Sequence, residues 1–407
     1  MYIQRHMEKT VEKLSKMFGA VLVVGPRQVG KTTMLQSMTD HVKYVTLDDP
    51  ILLASAIETG TTFFKDNLPP IFLDEVQKAP NLFPQIKLIL DRERKKGQFF
   101  LCGSQQFQMM KDVSESLAGR LGIATLQGVS LREKYGCDFR DAFVPTDDYL
   151  MARGEMVKDI AYSDIWENIY WGSMPELHAN PDFDWQMFYG AYVRTYIERD
   201  VRELTQVGDE VKFMKFMAVM AARTGQLLNL SAVAGDVGIS QPTADRWLSI
   251  LTASNIVYLL RPYSGNLIKR AVKTPKLYFL DTGLAAYLTK WNTVEVLKTG
   301  AMAGAFFENF VVSEILKSYY NQGVLDPPLF FYRDKDQKEI DLLVSEGDVL
   351  YPLEIKKHAD PKASDIANFD VLDRIPGIRR GPGGVICMYD QVVTLKGQDR
   401  VIPVTYL

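Results

Sequence analysis

The sequence predicts a mixed α/β fold in four successive parts: an N-terminal parallel sheet, a helical segment, a winged helix and a C-terminal α/β domain. Three observations predict it. In the first third, short apolar runs without alternation are separated by helical stretches, as in a parallel sheet covered on both faces. From Val129 to about Gln226, aromatic-rich helical segments dominate. After Ala305, one helix is followed by closely spaced strand-like runs. Length alone, at about 150 residues per domain, gives a prior of two or three domains for 407 residues, and the pattern divides the chain into four parts. The boundaries expected are 1–135, 136–225, 226–292 and 293–407.

AVLVVG reads as a buried strand and KTTMLQSM as the helix after it. KYVTLDD, PIFLDEV and QFFLCGS are further strands, with NLFPQIKLILDRERKKG helical between the last two. IWENIYWGSMPEL, FYGAYVRTYIERDVREL and VKFMKFMAVMAARTG make the helical segment. LSAVAGDVG is a short helix closed by Gly238, and SQPTADRWLSILTASN a second, with Ser240 as N-cap and Pro242 in its first turn. IVYLLRPY and KLYFLDTG flank a basic loop with Lys269, Arg270 and Lys273, which completes a winged-helix pattern. AFFENFVVSEILKSYYN is a helix, LFFYRD, EIDLLVSE and VLYPLEIKK are strands, SDIANFDVLDRI is a helix, GIRRGPGG is a loop and GVICMYD is a strand.

Gly25-Pro26-Arg27-Gln28-Val29-Gly30-Lys31-Thr32 fits G-x-x-x-x-G-K-[ST] and sits between a strand and a helix. Such glycines let backbone N–H groups form a nest for phosphate oxygens, reinforced by the helix N-terminus. Residues 25–33, ending at Thr33, are therefore the expected ATP contacts. Lys31 would reach the β- and γ-phosphates and Thr32 would hold Mg²⁺. Asp74 and Glu75 end an apolar strand, where a parallel sheet opens its ligand crevice. Asp74 would join the Mg²⁺ shell and Glu75 would orient and deprotonate the attacking water; the pair could instead cap the next helix. Ser104 or Gln105, after the fourth strand, could contact the γ-phosphate or simply cap a loop. Arg120 is either an arginine finger or a surface ion-pair residue.

GPRQVGKTT, LDEVQKAP, CGSQQF and SESLAGRL resemble the AAA+-type ATPases of bacteria and archaea that carry a C-terminal domain of unknown function. WGSMPEL, YIERDV, YFLDTGL and GAFFEN extend the resemblance over about Val21 to Lys357. It implies an ATPase using ATP and Mg²⁺. The fourth strand departs from the family pattern, with Cys102 where threonine is expected.

Glu308, Asp341 and Glu354-Ile355-Lys356 have the order and setting of the PD-(D/E)xK nucleases, so the last domain resembles a restriction-endonuclease fold. Glu354 and Lys356 share a strand face, and the EGD turn could bring Asp341 onto it. With Glu308 from the preceding helix, these acids would hold Mg²⁺ and Lys356 would position a nucleophile. Three outcomes stay open: cleavage, a binding-only descendant, or the wet face of a hairpin. Arg246 and Lys269–Lys273 could meet DNA or a protein partner, while the Arg92–Lys96 run reads as a solvated helix end.

The net charge of −3 excludes a uniformly basic surface but not a local basic patch. Three dispersed cysteines and four scattered histidines have no disulfide or zinc spacing, and the expected compartment is a reducing cytoplasm. The charged N-terminus does not read as a signal peptide, and no apolar run suits a membrane helix. A finger supplied by a neighbouring copy would imply a homo-oligomer.

Overall fold

The computed structural model describes residues 2–39, 42–58, 60–103, 116–157, 160–180, 182–196, 210–264 and 274–407. The chain divides into two compact units. The first comprises Met1–Val129 with Ala253–Asn255 and Tyr319–Leu325; the second comprises the remainder.

In the first unit, strands β1 (Ala20–Val24), β2 (Lys43–Thr46), β3 (Ile71–Asp74), β4 (Phe99–Cys102) and β5 (Leu121–Thr125) form a parallel sheet in the order β2-β3-β4-β1-β5. Every residue of β1 and β3 is buried, which explains why these runs are apolar throughout. Leu22, Leu73 and Leu101 pack with Phe63, Phe83 and Ile86 of the covering helices. Because all five strands run in parallel, the loops after β1, β3 and β4 open on one edge of the sheet.

The second unit contains β6 (Gln226–Leu227), β7 (Val257–Pro262), β8 (Lys276–Phe279), β9 (Leu329–Arg333), β10 (Glu339–Glu346), β11 (Val349–Ile355), β12 (Arg379–Arg380), β13 (Gly384–Cys387), β14 (Val393–Lys396) and β15 (Asp399–Pro403). Helices Leu230–Val237 and Gln241–Ala253 precede the antiparallel pair β7–β8. That pair is not a free wing. β7 pairs in parallel with β9, so one sheet runs β14-β15-β13-β11-β10-β9-β7-β8-β6 across the boundary expected at 292/293. The pairing satisfies backbone groups that a free edge of β7 would leave unpaired. Lys269, Arg270 and Lys273 lie outside the described residues.

The EGD segment makes a two-residue turn, with Gly347 at φ +60° and Glu346 opposite Val349. SDIANFDVLDRI forms only a 3₁₀ stretch, Phe369–Arg374, in place of the expected helix. Side-chain bonds compete with the helix here: Asp365 accepts from the nearby Lys362 N–H, and Asn368 donates to the carbonyl of Glu339, a residue of β10. GIRRGPGG, expected as a loop, adds the short strand β12 beside β11.

Two motifs of the second unit build one buried junction. Asp281 caps helix Thr282–Leu288 by accepting from the Leu284 N–H at 2.6 Å. It also accepts from the Ser173 N–H at 2.7 Å, the Ser173 hydroxyl at 2.9 Å and the Tyr189 hydroxyl at 2.7 Å. A Cβ on Gly172 or Gly283 would lie 2.4 Å from the Tyr189 hydroxyl, so WGS and DTG both need their glycines. No described helix is long and apolar enough to cross a membrane.

Candidate functional site

Between β1 and helix Lys31–Met38 the backbone turns through Gly25 (φ +145°), Gln28 (φ +60°) and Gly30 (φ +86°). Any Cβ on Gly25 would fall 2.0 Å from the carbonyl oxygen of Leu126, just past β5, so this close approach requires glycine. Val29 is buried, whereas Gln28 and Thr33 are exposed and Arg27 is half-buried. Lys31 is 8% exposed, and its ammonium donates to the carbonyls of Gly25 (3.0 Å) and Pro26 (2.6 Å). Those bonds use two of its three donors. Burial pulls the Lys31 pKa down, against the upward pull of the acids Glu75 and Asp74.

Asp74, at the end of β3, is the centre of this edge. Its carboxylate accepts from the Thr32 hydroxyl at 3.1 Å, the Tyr44 hydroxyl at 3.0 Å and the Glu75 N–H at 3.0 Å. The Cys102 thiol donates to it at 2.6 Å. Burial, then the Asp74 charge, push Tyr44 up to about 12, and the same two causes push the Cys102 thiol well above its usual range. Glu75 is held at φ +54°, a left-handed conformation costly for a non-glycine residue, and its carboxylate accepts from the Gln77 amide. Ser104 and Gln105 lie outside the described residues.

In the second unit, antiparallel pairing sets Leu342 opposite Leu353, which turns Asp341 and Glu354 to the same face. A register shift on the β9 side between Ile340 and Leu343 brackets Asp341. Asp341 accepts from the Ile355 N–H at 2.9 Å, and Lys356 lies 2.7 Å from Glu354 and 3.5 Å from Asp341. A further cation stands among these acids. The Lys276 side chain, from β8, is 4% exposed and lies 2.6 Å from Glu339, 3.2 Å from Glu308 and 3.8 Å from Asp341. Tyr278, two residues on, donates to Glu308 at 2.6 Å. Burial, then the Asp341 charge, raise Glu354 to about 9, while Lys356 opposes the shift. Burial lowers the two lysines, but the surrounding carboxylates outweigh it and raise both.

Residues 18–135 match the family model described as "AAA domain". The AAA model and the Lys31–Thr32–Asp74 edge cover the same stretch. The N-terminal domain is an AAA+-type P-loop ATPase domain. Residues 162–295 and 303–407 match two models for domains of unknown function, DUF8612 and DUF4143. Uncharacterized proteins of Mycobacterium tuberculosis and Mycobacterium bovis are each 28% identical to the chain, covering 94% of it and 82% of their own length. A Walker-type ATPase of Pyrococcus abyssi is similar at TM-score 0.43 and 14% identity, over 70% of this chain and 96% of that one. AMPPCP-bound DnaA from Aquifex aeolicus gives TM-score 0.30 at 14% identity, over 60% and 85%.

The ATPase domain's donor set suits a hard divalent cation: the Thr32 hydroxyl meets the Asp74 carboxylate in the first turn of the helix that Lys31 opens. Arg120 is placed elsewhere. It precedes β5, whose Leu121 pairs with Ala20 at the start of β1, whereas the P-loop follows Val24 at the other end. With a rise of about 3.3 Å per residue, some 15 Å of strand separate the two edges. There Arg120 makes a two-point ion pair with Asp91, its Nη2 at 3.0 Å, so a role as finger at its own P-loop is removed. Arg5 is a residue the sequence did not single out. It is 2% exposed and donates to the carbonyls of Val29 (2.8 Å), Gln127 (2.7 Å) and Gly128 (3.1 Å), supporting the ATPase domain's P-loop from behind.

The acids of the second unit meet lysines. Among the described residues, no group of three or more His, Cys, Asp and Glu side chains is arranged to hold an ion. Glu308 and Asp341 face the Lys276 ammonium, and Glu354 faces Lys356. Lys276 was not singled out because it belongs to β8, outside the segment expected to carry the site. One lysine opening the otherwise apolar run KLYFL was the available signal.

Proposed function

We propose that the chain is an Mg²⁺-dependent ATPase whose nucleotide state controls the helices Leu230–Val237 and Gln241–Ala253 and the C-terminal sheet, acting on DNA or a protein partner. The observation that carries it is the meeting of Thr32 and Asp74 beside Lys31, with Glu75 at the same strand end. Backbone N–H groups of residues 27–30 bind phosphate oxygens, and the third donor of Lys31 reaches the β- and γ-phosphates. Thr32 and Asp74 would hold Mg²⁺, which neutralises charge building on the phosphates. Glu75 orients the attacking water and accepts its proton, and Tyr44 and Cys102 fix the Asp74 carboxylate.

One observation favours a second reading, a slow nucleotide-dependent switch. The Glu75 carboxylate is engaged by the Gln77 amide, and a base so held turns over slowly until the bond is released. Steady-state ATP turnover with and without duplex DNA separates the two. A rate that DNA raises fits a DNA-coupled ATPase, whereas single-turnover hydrolysis with prolonged ATP retention fits the switch. Exposed Arg246, on helix Gln241–Ala253, is the described basic residue on which DNA stimulation would depend.

A further inference from the structure

We infer that the acidic cluster of the second unit carries its own cation: the Lys276 ammonium takes the place a divalent metal would take among Glu308, Glu339 and Asp341. This stands independently of ATP hydrolysis. The Lys276 ammonium lies within 4 Å of all three carboxylates, at 3.2, 2.6 and 3.8 Å, and its side chain is only 4% exposed. It also lies 5.6 Å from the centre of the Phe331 ring, which favours a cation over the ring face. Each acid has protein donors: Tyr278 and Lys276 for Glu308, Arg333 and Lys276 for Glu339, the Ile355 N–H and Lys356 for Asp341, and Lys356 for Glu354.

A buried charge cluster is stable only when opposite charges and hydrogen bonds answer it, and here two lysines do so. A divalent ion entering between Glu308 and Asp341 would meet a buried ammonium within 4 Å of both acids, a repulsion strong in a low-dielectric site. Nuclease-like placement of Asp341, Glu354 and Lys356 is thereby turned to holding β8, β10, β11 and helix Ala303–Asn321 together, without metal chemistry.

Removing the ammonium should create the metal site. The full-length protein is titrated with Tb³⁺, excited through tyrosine, and then with Mg²⁺ or Ca²⁺ as competitor. Asp74→Asn is present throughout to silence the ATPase site. In that background the parent protein should give no emission that depends on Asp341 or Glu354. Lys276→Met should gain emission that Asp341→Asn abolishes. Its melting temperature should rise by about 5–10 °C at a divalent concentration a hundred times the dissociation constant, while the parent stays unmoved. If Lys276→Met does not fold without metal, the parent alone decides: Mn²⁺ binding that falls on Asp341→Asn or Glu354→Gln overturns the inference. A folded Lys276→Met that binds no divalent ion overturns it equally.

Discussion

Asp281→Ala should destabilise the second unit far more than a surface change. One oxygen of Asp281 accepts from Tyr189 and the Leu284 N–H, the other from the Ser173 N–H and hydroxyl. The carboxylate is 7% exposed, so water cannot readily replace it. The two hydroxyls can turn elsewhere, but the two N–H groups are fixed by the backbone. Leaving a buried donor unsatisfied costs about 1–3 kcal/mol, and losing an N-cap about 1 kcal/mol. These terms overlap at Leu284, which gives about 3–5 kcal/mol for Asp281→Ala. A unit of this size should then melt roughly 10 °C lower. Asp281→Asn keeps one acceptor and turns an NH₂ toward the other donor pair, so its loss should be smaller, about 2 kcal/mol. Calorimetry resolving the two units is the assay, since a single two-state fit does not describe a chain with two units. An Asp281→Ala transition within 2 °C of the parent would refute the junction as a source of stability.

Burial, then Lys134, lower His178 to about 4, below its ordinary value near 6.5, so the folded chain binds fewer protons between these values than the unfolded chain. Stability should therefore be complete above about pH 6.5 and decline toward pH 4, by up to about 3 kcal/mol, and His178→Gln should flatten that slope in pH-dependent melts. Arg5→Ala should weaken binding of a fluorescent ATP analogue by about tenfold or more with Lys31 and Asp74 intact, because the P-loop carbonyl of Val29 and the carbonyls of Gln127 and Gly128 lose the donor that ties them together; unchanged affinity would assign Arg5 to stability alone. Arg120→Ala should leave ATP affinity unchanged, and if Arg120 serves a neighbouring copy, turnover per protomer should rise with concentration in the parent and not in the variant.

How legible each feature was depends on how local it is. The P-loop is written in eight consecutive residues, so the left-handed turns at Gly25 and Gly30 could be read directly. Asp74 announced itself as an acid ending a wholly apolar strand. The hairpin that sets Asp341 beside Glu354 was readable because Gly347 fixes the turn and alternation fixes the face. Other features depend on partners far along the chain. Lys276 reaches acids 32 to 65 positions away, and nothing near it in sequence says so. Arg5 meets carbonyls more than 120 positions on. β7 was readable as a strand, but its pairing with β9 is a choice made by the whole sheet. The motifs WGS and DTG marked the chain without explaining themselves, until Asp281 was seen to bind Ser173.

The most direct measurement is ATP binding and single-turnover hydrolysis by the full-length protein, Glu75→Gln and Lys31→Ala, with Mg²⁺ present. Hydrolysis is predicted for the parent protein. Glu75→Gln should keep ATP affinity within about threefold while hydrolysis falls at least about a hundredfold, because Thr32, Asp74 and Lys31 remain and only the base is lost. Lys31→Ala should lose nucleotide binding. Hydrolysis by Glu75→Gln at the parent rate, or unimpaired ATP binding by Lys31→Ala, would contradict the assignment of this edge of the sheet as the catalytic site.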